Sequence, residues 1–158
     1  IQVKKLALEE LVLQLEKGSP VVAVGTTAVR TLESIYWLGC ALEKNIGYAS
    51  PLVVSQWQPY DMLPDEMLSP QEAVRAVLLY LEKEDMDELT AFTEIIIAPG
   101  YTFRMVDGLI TNFHQPDSTL LLLVAALVGD DWRKIYSYAM DNNFRFLSFG
   151  DSSLLMKK

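Results

Sequence analysis

An α/β fold, with a mostly parallel sheet under covering helices, is the class this sequence predicts, and three observations predict it. Val21 to Val24 is a short, continuous apolar run that ends in Gly25-Thr26-Thr27 and passes at once into a helical pattern, as strands of parallel sheets do. Two further apolar stretches, Phe92 to Ala98 and Thr102 to Phe113, alternate with amphipathic helices. The chain's 158 residues are 51% hydrophobic, which suffices for one ordinary core and is too apolar for disorder.

The elements follow in order. Leu8, Leu11, Val12 and Leu15 recur at helical spacing, and Gly18 with Pro20 stops that helix. After the strand at 21–24, Val29, Leu32, Ile35 and Tyr36 mark a second helix. Ser69-Pro70-Gln71-Glu72 supplies an N-cap, a proline at the first helical position and a capping-box glutamate, with Val74, Val77, Leu78 and Leu81 as the apolar stripe behind them. Phe92 to Ala98 reads as a buried strand ended by Pro99-Gly100, and Thr102 to Phe113 as further strand with a turn or bulge near Asp107-Gly108. Leu120 to Val128 reads as a buried helix. Asp130 can cap another, whose Trp132, Ile135, Tyr136, Ala139 and Met140 share a face, and Phe144 to Phe149 is a last extended piece. The segment from about 41 to 91, rich in proline, methionine and acid, reads as a peripheral insertion.

Composition narrows the function. The longest apolar run, Leu120 to Val128, is about half of the ~20 residues a membrane helix needs, so no membrane role is expected. Cys40 is the single cysteine, cannot form an internal disulfide and has no CxxC partner; with no charged-then-apolar leader at the start, a cytoplasmic protein is expected. Residue 1 is isoleucine and a helical pattern begins almost at once, so the chain reads as part of a larger α/β domain. Its positive mean hydropathy, +0.18, fits apolar surface that faces the rest of that domain or a second copy. The net charge of −8 comes entirely from 61–94, where Arg75 and Lys83 face ten acidic residues. That segment is not expected to touch phosphate, and residues 61–91 are expected to form a peripheral, mainly helical excursion whose acidic face is solvated and points away from the rim, while Arg30, Arg104, Arg133, Lys134 and Arg145 leave local positive spots elsewhere.

Three constellations can carry chemistry. In Thr111-Asn112-Phe113-His114-Gln115-Pro116-Asp117-Ser118-Thr119 the chain's only histidine, whose ordinary pKa lies near neutrality, sits between a strand and an apolar helix among hydrogen-bonding neighbours. Either it is a site residue, or Asn112 and His114 tie the turn while Ser118 or Thr119 caps the helix. Gly25-Thr26-Thr27 precedes a helix N-terminus, where unpaired N–H groups and the helix dipole favour an anion; Arg30 adds a bidentate grip or merely pairs with Glu33 on the surface. Arg145 and Asp151, with Gly150 between them, either meet a ligand at a strand end or pair with one another. Both strand-to-helix turns follow strands, so His114 and Gly25–Thr27 are expected at one edge of the sheet. The nucleotide-binding glycine fingerprints, metal-ligand spacings and the G-x-S-x-G elbow are not in the sequence, so no metal site is expected.

The segments 24–34 (Val-Gly-Thr-Thr-Ala-Val-Arg-Thr-Leu-Glu-Ser), 98–101 (Ala-Pro-Gly-Tyr), 106–121 (Val-Asp-Gly-Leu-Ile-Thr-Asn-Phe-His-Gln-Pro-Asp-Ser-Thr-Leu-Leu) and 144–151 (Phe-Arg-Phe-Leu-Ser-Phe-Gly-Asp) closely resemble the C-terminal half of the S-adenosylmethionine:tRNA ribosyltransferase-isomerases of queuosine biosynthesis, in the same order. The resemblance covers 20–39 and 92–156 and leaves 41–91 nearly unmatched. Ala28 stands where the family commonly has serine, Gln115 where it has leucine, and Asp117 where a basic residue is frequent. The resemblance implies an enzyme that moves the ribosyl unit of S-adenosylmethionine onto a deazaguanine base in tRNA, rearranges it to epoxyqueuosine and releases adenine and methionine. S-adenosylmethionine is then a substrate, no separate cofactor is needed, and tRNA and the family's N-terminal portion are the partners. A proton must leave the carbon beside the sulfonium, and carboxylate and phosphate need donors. By residue chemistry the catalytic set is His114, Arg30 and Asp151. The substrate-binding set is Gly25, Thr26, Thr27, Tyr101, Thr111, Asn112, Ser118, Thr119 and Arg145. The rival reading is a non-catalytic α/β module that holds a small anionic ligand or a protein partner.

Overall fold

The computed structural model describes residues 1–44, 51–62, 67–116 and 118–158; Asp117 and the stretches 45–50 and 63–66 of the 41–91 segment lie outside the described residues. The chain divides into two compact units, Ile1–Pro20 with Arg30–Ile95, and Val21–Val29 with Ile96–Lys158.

In the first unit, β1 (Gln2–Lys4) leads into α1 (Lys5–Glu16), which buries Leu8, Val12 and Leu15 and stops where Gly18 takes a left-handed φ of 68° and donates to the Leu15 carbonyl. Most of α2 (Thr26–Glu43), then β3 (Leu52–Val54), α3 (Gln58–Asp61), α4 (Pro70–Lys83) and β4 (Glu88–Thr93) complete the unit. The capping box forms as the spacing predicts: the Ser69 hydroxyl accepts from the Glu72 N–H, and the Glu72 carboxylate accepts from the Ser69 N–H at 2.8 Å. Behind it Ala73, Val74, Val77 and Leu81 are buried. Gly39 of α2 is required by space, since a Cβ there would lie 2.1 Å from the Ala73 carbonyl oxygen of α4.

The second unit holds β2 (Val22–Val24), the first turn of α2, β5 (Gly108–Asn112), α5 (Thr119–Val128), α6 (Asp131–Asp141) and β6 (Ser152–Met156). Asp107 staples the three strands at one end. Its carboxylate accepts from the Val21 N–H at 3.0 Å and pairs with Lys157 at 3.1 Å, and its carbonyl accepts from the Lys157 N–H at 2.7 Å. Burial pushes that carboxyl up, but the Val21 N–H and Lys157 outweigh it and hold the pKa below the ordinary value. One sheet face buries Ala23, Leu109 and Leu155, while Val22, Val24, Ile110, Leu154 and Met156 of the other are open to solvent.

The α/β class holds, but the sheets are mixed rather than mostly parallel. The order β1-β4-β3 has β3 parallel and β1 antiparallel to β4; the order β2-β5-β6 has β2 parallel and β6 antiparallel to β5. Each sheet is one parallel pair with an antiparallel edge strand, an addition that strand-helix alternation does not register. Strand limits also differ. β4 lies earlier than Phe92 to Ala98, because Leu89 and Ala91 alternate with outward Thr90 and Phe92, whereas Ile95 and Ile97 are buried outside any ladder. Of Thr102 to Phe113 only Gly108–Asn112 is strand, and Phe144 to Phe149 ends in a single 3-10 turn (Leu147–Phe149) before β6. Asp130 does not cap α6; Gly129, at φ 60°, turns the chain directly from α5, and the Asp130 carboxylate binds Arg133 at 2.7 Å instead. The 41–91 segment is not peripheral: it supplies β3, α4 and most of the central strand β4 of its sheet.

Candidate functional site

The rim of the second unit is set by strand register. β2 and β5 run parallel with Val24 opposite Ile110, so the residues after both strands emerge at the same edge, as the two turns require. The Gly25 N–H donates to the Ile110 carbonyl at 2.8 Å, and the Gly25 carbonyl accepts the first helical bond, from Val29, at 3.3 Å. Gly25 has φ 89° with open space where a Cβ would point, so it is backbone conformation rather than room that calls for glycine. Half-buried Thr26 and exposed Thr27 open α2, whose first N–H groups have no partner within the helix. β6 runs antiparallel with Ser152 opposite Asn112, bringing Asp151 to the same edge.

His114 is held from two sides. Its Nε2 lies 3.0 Å from the Oγ1 of buried Thr111, and its main-chain N–H donates to the Tyr136 hydroxyl of α6 at 3.0 Å. Partial burial lowers the pKa of the imidazole, so the neutral ring is the form present at neutral pH. Burial raises that of the Tyr136 phenol, against the smaller opposing effect of the His114 N–H. Phe113 meets Tyr136, Phe144 and Phe146 at ring-centroid distances of 5.5 Å, an aromatic packing that fixes the loop from below. Its carbonyl accepts from the Leu147 N–H at 2.8 Å, tying the 144–151 loop to the rim.

Arg145 and Asp151 pair with one another. The Arg145 main-chain N–H and Nε donate to Oδ2 at 2.6 and 3.2 Å, and Nη2 donates to Oδ1 at 3.4 Å. The guanidinium holds the Asp151 carboxyl below its usual range, so Asp151 is a carboxylate. Gly150, at φ 121°, passes so close beneath that a Cβ would meet Nη2 at 3.2 Å.

The remaining predicted residues separate. Ser118 caps α5 by accepting from the Leu121 N–H at 3.3 Å, and Thr119 is the exposed first helical residue. Asn112 is exposed at the end of β5. Tyr101 is buried with its ring edge-on to Phe103 at 5.2 Å. Arg30 belongs to the other compact unit. A wet Arg30–Glu33 pair is not what the structure shows: Glu33 is fully buried, and the buried Arg30 Nε has no hydrogen-bond partner among the described residues. Tyr136 escaped the sequence reading because it falls on the core stripe of α6; the signal was its hydroxyl, which a buried tyrosine must satisfy. Among the described residues no cluster of histidine, cysteine, aspartate and glutamate could hold a metal ion, and no helix is long and apolar enough to cross a membrane.

The profile of the family described as "Queuosine biosynthesis protein" matches residues 1–155. A protein of Ruegeria pomeroyi named S-adenosylmethionine:tRNA ribosyltransferase-isomerase is 58% identical over 65 residues, 40% of this chain and 19% of that protein. Its namesake in Halothermothrix orenii is 35% identical over 142 residues, 89% of this chain and 29% of that protein, a span that takes in the 41–91 segment. The crystal structure of the S-adenosylmethionine tRNA ribosyltransferase of Thermotoga maritima superimposes with a TM-score of 0.63 at 33% identity, covering 98% of this chain and 39% of that one. The chain spans about a fifth to a third of the length of the curated relatives it matches.

Proposed function

The chain belongs to the family of queuosine biosynthesis proteins, and from that premise we propose that it supplies the catalytic rim of an enzyme that moves the ribosyl unit of S-adenosylmethionine onto a deazaguanine base in tRNA and isomerises it to epoxyqueuosine. One observation carries the reading: the second unit gathers Gly25–Thr27, the His114 loop and the 144–151 loop, the segments that resemble the family most, at one edge, around a partly buried neutral imidazole. An imidazole kept neutral by burial is a base at neutral pH, which is what removal of the proton beside the sulfonium demands. The α2 N-terminus at Thr26 and Thr27 offers N–H donors for the methionine carboxylate. Arg145 and Asp151, each fixing the other, present one oriented guanidinium to substrate.

S-adenosylmethionine is consumed as substrate, so the reading requires no resident cofactor or metal. Its partners are tRNA and the N-terminal portion of the family's chain, and its compartment is the cytoplasm, where both substrates are present. The test is an assay of the full-length enzyme for adenine release from S-adenosylmethionine in the presence of deazaguanine-bearing tRNA. Release that depends on both substrates supports the reading, and binding of either without release would turn it toward a non-catalytic module.

A further inference from the structure

We propose that His114 exchanges protons through Nδ1, with Thr111 and Tyr136 as the positioning residues that aim that atom; this rests on the reading of His114 as the proton acceptor. An imidazole has two nitrogens, and here they are unequal. Nε2 is engaged by the Oγ1 of Thr111 at 3.0 Å, and among the described residues no group bonds Nδ1. Thr111 is a firm anchor because it is buried within β5 and its carbonyl accepts from the Ser153 hydroxyl at 3.3 Å, so its side chain is turned to the ring rather than to a ligand. The main chain is fixed separately. The Tyr136 hydroxyl accepts the His114 N–H at 3.0 Å, and its ring is wedged edge-on between Phe113 at 5.5 Å and Trp132 and Phe146 at 6.0 Å. With the backbone and one ring nitrogen both tied, the direction of Nδ1 is determined.

The step uses one of the two tautomers this contact allows, the one in which Nε2–H donates and the Thr111 Oγ1 accepts. When Nε2–H donates to Thr111 Oγ1, the lone pair is on Nδ1. Nδ1 then takes one proton from the carbon beside the sulfonium, and the electron pair of the broken C–H bond stays on that carbon. The ring becomes an imidazolium whose Nε2–H still donates to Thr111, a hydrogen bond that strengthens as charge develops. No oxidant, reductant or further reactant enters this step.

Four variants of the full-length enzyme test the assignment, each followed by kcat, KM for S-adenosylmethionine and thermal midpoint. Thr111→Val keeps the shape and removes the hydroxyl, and is expected to lower kcat roughly 10- to 100-fold with KM changed by less than about twofold; Thr111→Ser restores most of it. Tyr136→Phe is expected to lower kcat about tenfold. Combined with His114→Gln, neither Thr111→Val nor Tyr136→Phe should cause a further loss, since both act through a ring no longer there. If His114→Gln is inactive while Thr111→Val keeps the parent kcat, the Nδ1 assignment falls and the proton-acceptor reading survives. If His114→Gln turns over at the parent rate, that reading itself falls. Equal losses in Thr111→Val and Thr111→Ser, tracking a lowered thermal midpoint, would make Thr111 structural and overturn its positioning role.

Discussion

The two sheets share one construction and finish differently at their carboxyl edges. In the first unit the edge is closed. The Glu94 N–H donates to the Val54 carbonyl at 2.9 Å, the Thr93 hydroxyl meets that of Ser34 at 2.7 Å, and the Ile95 N–H donates to Thr93 Oγ1 at 3.3 Å. In the second unit the corresponding edge is open: α2 begins there with its first donors unclaimed within the helix, Asn112 is exposed, and among the described residues the imidazole is bonded through Nε2 alone. A shared strand arrangement therefore does not make a site. What separates a structural edge from a chemical one is whether its polar groups satisfy each other or are left pointing outward at fixed angles.

The largest test of that contrast is His114→Gln. If the open edge carries catalysis, adenine release by the full-length enzyme should drop roughly 100-fold or more, the range lost with a general base, while circular dichroism still reports a folded protein. Retained release would erase the distinction between the edges. Arg30→Lys comes next. The helix keeps its charge and propensity, but a planar fork is lost, and an activity cost of roughly 1.5–3 kcal/mol, about 10- to 100-fold, is expected with little change in urea midpoint. Unchanged kinetics would return Arg30 to a packing role.

Stability should reveal the opposite bias. Gly39→Ala in the first unit forces a Cβ against the Ala73 carbonyl at 2.1 Å, and the α2–α4 contact has to yield, at a cost of roughly 1–3 kcal/mol in urea denaturation. An unchanged midpoint would mean the two helices separate freely. The smallest effect concerns pH. Because burial lowers the folded-state pKa of His114 beneath the ordinary 6.5, the unfolded chain binds the proton more readily. Stability is thus full above about pH 6.5 and is lost as pH falls through that value toward the lowered folded one. Thermal midpoints compared between pH 7.5 and 5.5 should fall in the parent and fall less in His114→Gln; parallel slopes would show that burial of the ring is not what the pH senses.

Legibility in the sequence followed the range of the forces involved. Ser69 to Glu72 and Ser118 announce helix starts because a cap is satisfied within three residues. His114 and Gly25–Thr27 could be assigned one edge because both turns follow strands, and the parallel register obeys that rule. β1, β3 and β6 were missed because their residues, such as Gln2–Lys4 and Ser152–Met156, carry little intrinsic pattern and become strands by pairing with β4 and β5. The mutual grip of Arg145 and Asp151 lay within the sequence's open alternatives. Thr111, three residues from His114, was among the hydrogen-bonding neighbours the sequence offered; Tyr136 was not, since a hydroxyl partner 22 residues away leaves no spacing signature.

The pairing of β2 with β5 joins residues such as Val21 and Asp107 that lie 86 positions apart. Closing so long a loop is entropically costly and is rewarded only once both strands are present, so the rim belongs to the slow, late part of folding while α4 and its cap can form locally and early. During synthesis Gly25 waits for β5 to leave the ribosome before its N–H finds Ile110. A nascent chain stopped short of Asp107 thus leaves Val22–Val24 without its partner strand β5 and Ala23 uncovered, which makes that interval the time at which chaperone capture or aggregation competes with assembly of the rim.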